Sequence, residues 1–219
     1  MIAVMGSFAF PSASIDEPLD CYLHGYVSSR IMNLARTSSS SKSESESEPW
    51  SGSEQRGLAV CVAATKVDGL VLSLTPNTHS YNYRSAILHG YAQLVESVEE
   101  KLYAMELITN SVVPERWANS RTPPDGAEMQ STVILRVSVV DASAKIRDGA
   151  PHDEGKDTSR QELGERIWRG VVPVHEVLGS PVPSRENRVA VVPDHIRDYV
   201  EEVNGRNERY ARDAAVDPS

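Results

Sequence analysis

Cysteine is scarce in this chain of 219 residues: Cys21 and Cys61 stand far apart, outside any CxxC or metal-ligand spacing. That excludes a disulfide scaffold and a cysteine-based metal centre, and it fits a reducing, intracellular setting. Positive charge is also short, with 22 Lys and Arg against 31 Asp and Glu and a net charge of −9, and no basic stripe appears anywhere. Nucleic acid and anionic membranes are therefore poor partners. No run approaches the roughly 20 apolar residues of a membrane span. The opening "MIAVMGSFAFPSAS" lacks a basic region followed by a sustained apolar stretch, so a soluble, cytoplasmic protein is expected. Six histidines are present, none in an HExxH spacing, and no GxSxG or GxGxxG occurs. Metal hydrolysis and a serine nucleophile thus lack support, and any nicotinamide cofactor would bind only transiently.

What is present divides the chain by composition. The length suits one domain with a substantial core; we read residues 1–192 as that domain and 193–219 as a terminal helix and tail. The Ser- and Glu-rich segment 37–57, with Trp50 inside it, has almost nothing to bury and reads as a disordered loop. "CYLHG" predicts a short strand and "SSRIMNLAR" a helix. "GLAVCVAATKVDGLVLSL" predicts two strands around a turn at Val67, Asp68 and Gly69, since Asp-Gly supplies the positive φ of a hairpin. A long strand from Tyr83 to Glu96 follows, then an amphipathic helix capped by Ser97. "STVILRVSVVDASAKIRDG" predicts one strand and a second after it, and "IWRGVVPVHEVLG" another. The polar stretch between them reads as mobile. A last helix begins after Pro193 and frays past Gly205. Antiparallel strands with helices between them make the expected class mainly β, an antiparallel barrel with α decoration.

Two places carry chemistry beyond packing. In the strand from Tyr83, Arg84 shares a face with Ala86, Leu88, Gly90, Ala92 and Leu94, which puts a guanidinium at the rim of an apolar interior, where it needs an anion. A neighbouring carboxylate and a bound anion are equally open as that partner. "HGYVSSR" ends a strand and opens a helix, gathering Ser28, Ser29 and Arg30 around free backbone N–H groups. Such an arrangement can hold phosphate, although a serine there is more often a plain cap.

The segments "LHGYVSSRIMNLAR", "HSYNYRSAILHGYAQLVE", "EEKLYAMELITNSVVPERW", "ASAKIRDGAPHDE" and "IWRGVVPV" follow one another in an order that resembles the flavin-nucleotide-binding proteins of the pyridoxamine 5′-phosphate oxidase-like superfamily, in particular the nitroimidazole-resistance (Nim) branch. The resemblance runs from Leu23 to about Val177. It implies an FMN-binding split β-barrel, a homodimer, and transfer of electrons from a transient NAD(P)H to a small-molecule acceptor of the nitroaromatic or quinone type. Ser28, Ser29 and Arg30 then match the phosphate grip, Thr65 and Lys66 the strand along the flavin, and Ser80, Asn82, Arg84 and Ser85 the segment closing over it. On this reading Arg84 meets an anionic cofactor. Lys145 and Trp168 match positions near the site, and His79 and Tyr83 are the candidate catalytic groups. Haem, a minor alternative, would need an axial histidine.

Departures temper the resemblance. Relatives begin with a helix and two strands, and this chain starts where the second would be ending, as a truncated or shortened form would. An exposed barrel edge is then expected unless "MIAVMGSFAF" or a partner covers it. The Arg-Leu-x-Pro tail of true pyridoxamine phosphate oxidases has no counterpart in "AAVDPS", which argues against vitamin B6 oxidation. The competing class is a non-catalytic split-barrel protein that binds a cofactor or only its dimer partner.

Overall fold

Ser97 caps the helix Val98–Val112 (α2) as the sequence predicts: its hydroxyl accepts the Glu100 backbone N–H at 3.2 Å, with Glu99 and Glu100 in the first turn. The computed structural model describes residues 2–6, 8, 19–40 and 57–217. Most of the Ser/Glu segment, including Trp50, lies outside the described residues; its first four residues, Thr37 to Ser40, continue the helix Arg30–Ser40 (α1).

The strands are β1 (Ile2–Gly6), β2 (Asp20–Tyr26), β3 (Leu58–Leu72), β4 (Ser80–Leu94), β5 (Thr132–Arg147) and β6 (Gly170–Pro173). They form one six-stranded sheet in the order β1-β2-β5-β4-β3-β6. β1 pairs antiparallel with β2 from Ile2 opposite His24 to Gly6 opposite Asp20, so the N-terminal segment does cover the edge of β2. The remaining helices are α3 (Gly126–Ser131), α4 (Gly155–Thr158), α5 (Gln161–Arg166) and α6 (Asp194–Asp213). The expected class, mainly antiparallel β with helices, is what forms.

Two compact units divide the chain, the first comprising Met1–Val62 and Leu88–Ala142, the second Ala63–Ile87 and Ser143–Ser219. In the first, strand alternation fills both faces of the sheet. Cys21 and Leu23 of β2 and Leu135 and Val137 of β5 pack with Met32 and Ala35 of α1. Tyr22 and Ile134, one residue out of phase, pack with Ala104 and Ile108 of α2. Burial of each large side chain here is worth about 1.5–3 kcal/mol. The buried charge of this unit, Glu100, is satisfied by the Tyr22 hydroxyl and by Arg136, each at 3.0 Å.

The second unit is organised by Asn82, fully buried on β4. Its amide donates to the Gly149 carbonyl at 3.0 Å and the Ala214 carbonyl at 2.7 Å, and its carbonyl oxygen accepts from Arg147.

Four sequence expectations need correction. The hairpin at Val67 to Gly69 does not form, because β3 runs straight through; Gly69 pairs with Pro173 of β6, and the Asp68 carbonyl accepts the Val174 N–H at 2.9 Å. β5 is likewise one strand, not two. The polar stretch before β6 carries α4 and α5, and its Asp153 carboxylate, closed to solvent, accepts the Leu74 N–H at 2.8 Å and binds Arg169 at 3.2 Å. Finally, α6 continues through Gly205 to Asp213. Burial of Val203 and Ala211 and the tie from Asn82 to the Ala214 carbonyl hold its end in place.

Candidate functional site

The start of α1 is built from a strand that ends and a helix that begins within a few residues. β2 closes at Tyr26, the Ser29 N–H donates to the Tyr26 carbonyl at 2.9 Å, and Arg30 opens the helix. Ser29 thus sits where a cap belongs, yet its Oγ is buried and has no hydrogen-bond partner. A capping serine would satisfy an N–H of the first turn. Here the hydroxyl is unpartnered, and the first-turn N–H groups have no partner within the helix itself. Gly25 helps keep the space: a Cβ there would lie 3.5 Å from the Ser29 Oγ and collide with the Met32 methyl at 2.5 Å. Ser28 and Arg30 are exposed beside it. One cation, two hydroxyls and the positive end of a helix dipole fit the terminal phosphate of a flavin nucleotide.

The second unit presents a different arrangement. A cleft of about 230 Å³ is lined by Thr65, Lys66, Asp68, Arg84, His175 and Glu176, among others. Arg84 donates to both oxygens of the buried Asp68 carboxylate, from Nε at 2.9 Å and from Nη2 at 2.7 Å, and its guanidinium stacks 3.5 Å from the Tyr210 ring centre. The hydrogen bonds to Asp68 hold the Arg84 guanidinium above its usual range. Of the two partners left open for Arg84, this structure shows the neighbouring carboxylate, a side chain of its own unit. Lys66 is neutralised the same way, by Glu176 at 2.8 Å. With both cations paired, the cleft offers no spare Lys or Arg charge, and it is smaller than the roughly 300–1,000 Å³ usual for ligand pockets.

The other expected residues of this unit scatter in role. Asn82 is a buried structural anchor. The exposed His79 accepts the Ser73 N–H at its Nδ1, 2.9 Å away, and so orders the turn between β3 and β4. Tyr83 is half-buried with the Lys145 ammonium 5.9 Å from its ring centre, and the Ser85 hydroxyl donates to the Lys145 carbonyl at 3.3 Å. Ser80 is half-buried and Thr65 exposed. Trp168 is 64% exposed, with its ring against Gly170, whose φ of 156° and close indole leave no room for a Cβ. Sequence reasoning missed Asp68 and Tyr210. A carboxylate interrupting an apolar strand was a signal for the first; nothing in the sequence places Tyr210 beneath a guanidinium.

Residues 43–146 match the family model described as pyridoxamine 5′-phosphate oxidase. This stretch of the chain is therefore similar to the pyridoxamine 5′-phosphate oxidase family. Among solved structures, the FAD and heme binding protein from Mycobacterium smegmatis is similar at 22% identity with a TM-score of 0.65, over 82% of this chain and 77% of that one. The flavocytochrome Anf3 from Azotobacter vinelandii is similar at 22% identity and a TM-score of 0.63, over 90% and 83%. At that identity the likeness establishes the fold alone, and it is the split-barrel fold. A candidate 5-nitroimidazole antibiotic resistance protein from Bacteroides thetaiotaomicron aligns over 57% of this chain and 60% of that one, at 16% identity and a TM-score of 0.37, too loosely to carry an argument. No curated protein matches the chain. Among the described residues no helix is long and apolar enough to cross a membrane, and no group of three or more His, Cys, Asp or Glu could hold a metal ion.

Proposed function

We propose that this protein binds a flavin nucleotide, FMN, with the phosphate at the start of α1, and acts as a homodimeric oxidoreductase. The observation that carries the reading is the buried, unpartnered Ser29 hydroxyl at a helix start flanked by Ser28 and Arg30. The family-model match supports it, as do the two split-barrel neighbours, one described as FAD and heme binding and the other as a flavocytochrome. In this reading Ser29 donates its hydroxyl proton to a phosphate oxygen, Arg30 neutralises the charge, and the first-turn N–H groups orient it. A bound flavin would supply hydride uptake from reduced nicotinamide cofactor and two-electron delivery to a small electrophile such as a quinone or nitroaromatic. The pairing of Arg84 with Asp68 and of Lys66 with Glu176 favours one second reading, a cofactor-binding protein without turnover.

Fluorescence titration with FMN, FAD and riboflavin tests the reading. FMN should bind in preference to riboflavin. Arg30→Ala should weaken FMN about tenfold to a hundredfold, the loss of one charge-assisted contact, and leave riboflavin unchanged. Absence of flavin binding by the full chain would refute it. Flavin binding without NAD(P)H-dependent reduction of a quinone or nitroaromatic would select the second reading.

A further inference from the structure

A groove of about 340 Å³ opens in the first unit, and none of its lining residues belongs to the site described above. Its floor comes from α2, where Met105, Ile108, Thr109 and Val112 recur at the spacing of one helical face. Ile2 of β1 and Ile134 of β5 also line it. Val112 is 52% exposed and Ile2 38%, so this apolar lining faces solvent instead of closing on itself. Such a surface is costly to leave open unless something occupies it.

The rim is not apolar. The chain leaving α2 turns through Glu115 in the left-handed region, φ 61°, unusual for a residue with a side chain. Three side-chain hydrogen bonds hold the turn. The Trp117 N–H donates to the Asn110 side chain at 2.8 Å, the Asn119 side chain donates to the Glu115 carbonyl at 2.9 Å, and the Ser120 hydroxyl donates to the Arg116 carbonyl at 2.7 Å. This scaffold delivers Arg116 to the groove. Among the described residues its guanidinium has neither an ion-pair partner nor a side-chain hydrogen bond, although the chain carries nine more negative than positive charges. Among the described residues His24 on β2 is the other titratable lining residue, and no Asp or Glu lines the groove.

We infer that this groove is a binding site for a small amphipathic monocarboxylate, with its apolar body along α2 and its carboxylate on Arg116. The planar guanidinium matches a carboxylate through two parallel hydrogen bonds, and a rigid turn holds it ready. The volume lies at the small end of the range for ligand pockets, the scale of a medium-chain fatty acid or an aryl carboxylate.

Isothermal titration of the full-length protein with decanoate, decanol and decylammonium tests the inference. Decanoate should bind one per chain, and at least about tenfold more tightly than decanol. Arg116→Gln should lose about tenfold to a hundredfold in decanoate affinity with decanol unchanged. Arg116→Glu should reverse the preference towards decylammonium. Val112→Asp, on an exposed helix position where folding tolerates the change, should abolish decanoate binding, with circular dichroism confirming the fold. Equal binding of decanoate and decanol overturns the inference. So does indifference to Arg116→Gln or Val112→Asp, or binding that appears only when a self-associated form is diluted apart. The result is independent of flavin binding, which Arg116→Gln should leave unaltered.

Discussion

Arg84 shows how one residue satisfies a sequence rule through a partner that only the fold selects. An arginine on an apolar strand face requires an anion, and the requirement is met by Asp68, 5% exposed, with Tyr210 stacked on the opposite side. Arg84→Ala would strand a buried carboxylate. Because the arginine is itself about a third exposed, the cost should be about 1.5–3 kcal/mol, below that of a fully buried pair. Urea denaturation should show Asp68→Asn rescuing most of that loss in the double mutant; simple addition of two independent losses would mean the pair contributes nothing. Asp20 gives the opposite case. Burial raises its carboxyl above the usual 3.8, outweighing the attraction of Arg136. The folded state therefore holds this proton more tightly than the unfolded chain. The stability it contributes is complete below about 3.8 and is lost as pH rises through the folded value. Asp20→Asn should thus gain on the wild type as the solution moves from acid to neutral, and a difference in urea midpoints that stays flat with pH would disprove the assignment.

At the scale of elements, backbone proximity decides more than propensity. A Cβ added to Gly90 of β4 would lie only 2.4 Å from the Ser138 carbonyl oxygen, a backbone atom that cannot move aside. Gly90→Ala should cost about 1–3 kcal/mol through overpacking, read as a lowered melting temperature; an unchanged melt would show that the strands can separate freely there. α2 and its Ser97 cap were legible because periodicity and capping are local. The Asp-Gly in β3 was misleading, since pairing with β6 and the Asp68–Arg84 bridge outweigh the local preference for a turn. The length of α6 is hidden from local sequence for a similar reason: Gly205 weakens the helix locally, and the contacts that sustain it come from residues far away in sequence.

For the whole molecule, composition and pattern determined the class: few cysteines, a net charge of −9, and alternating apolar strands that make a mainly antiparallel sheet with helices. The order of motifs determined the family likeness, which the family-model match at 43–146 bears out. The α1 start was recognisable too, because strand end, serines and arginine are neighbours in the chain. Only tertiary structure decided that Ser29 caps nothing, that Arg84 and Lys66 are paired with carboxylates, and that Arg116 borders a groove with an apolar floor. Periodicity and capping act over a few residues and are written in local sequence. Which charge meets which depends on contacts such as Asp68 with Arg84 or Asn82 with Ala214, and their sequence separation hides them until the chain has folded.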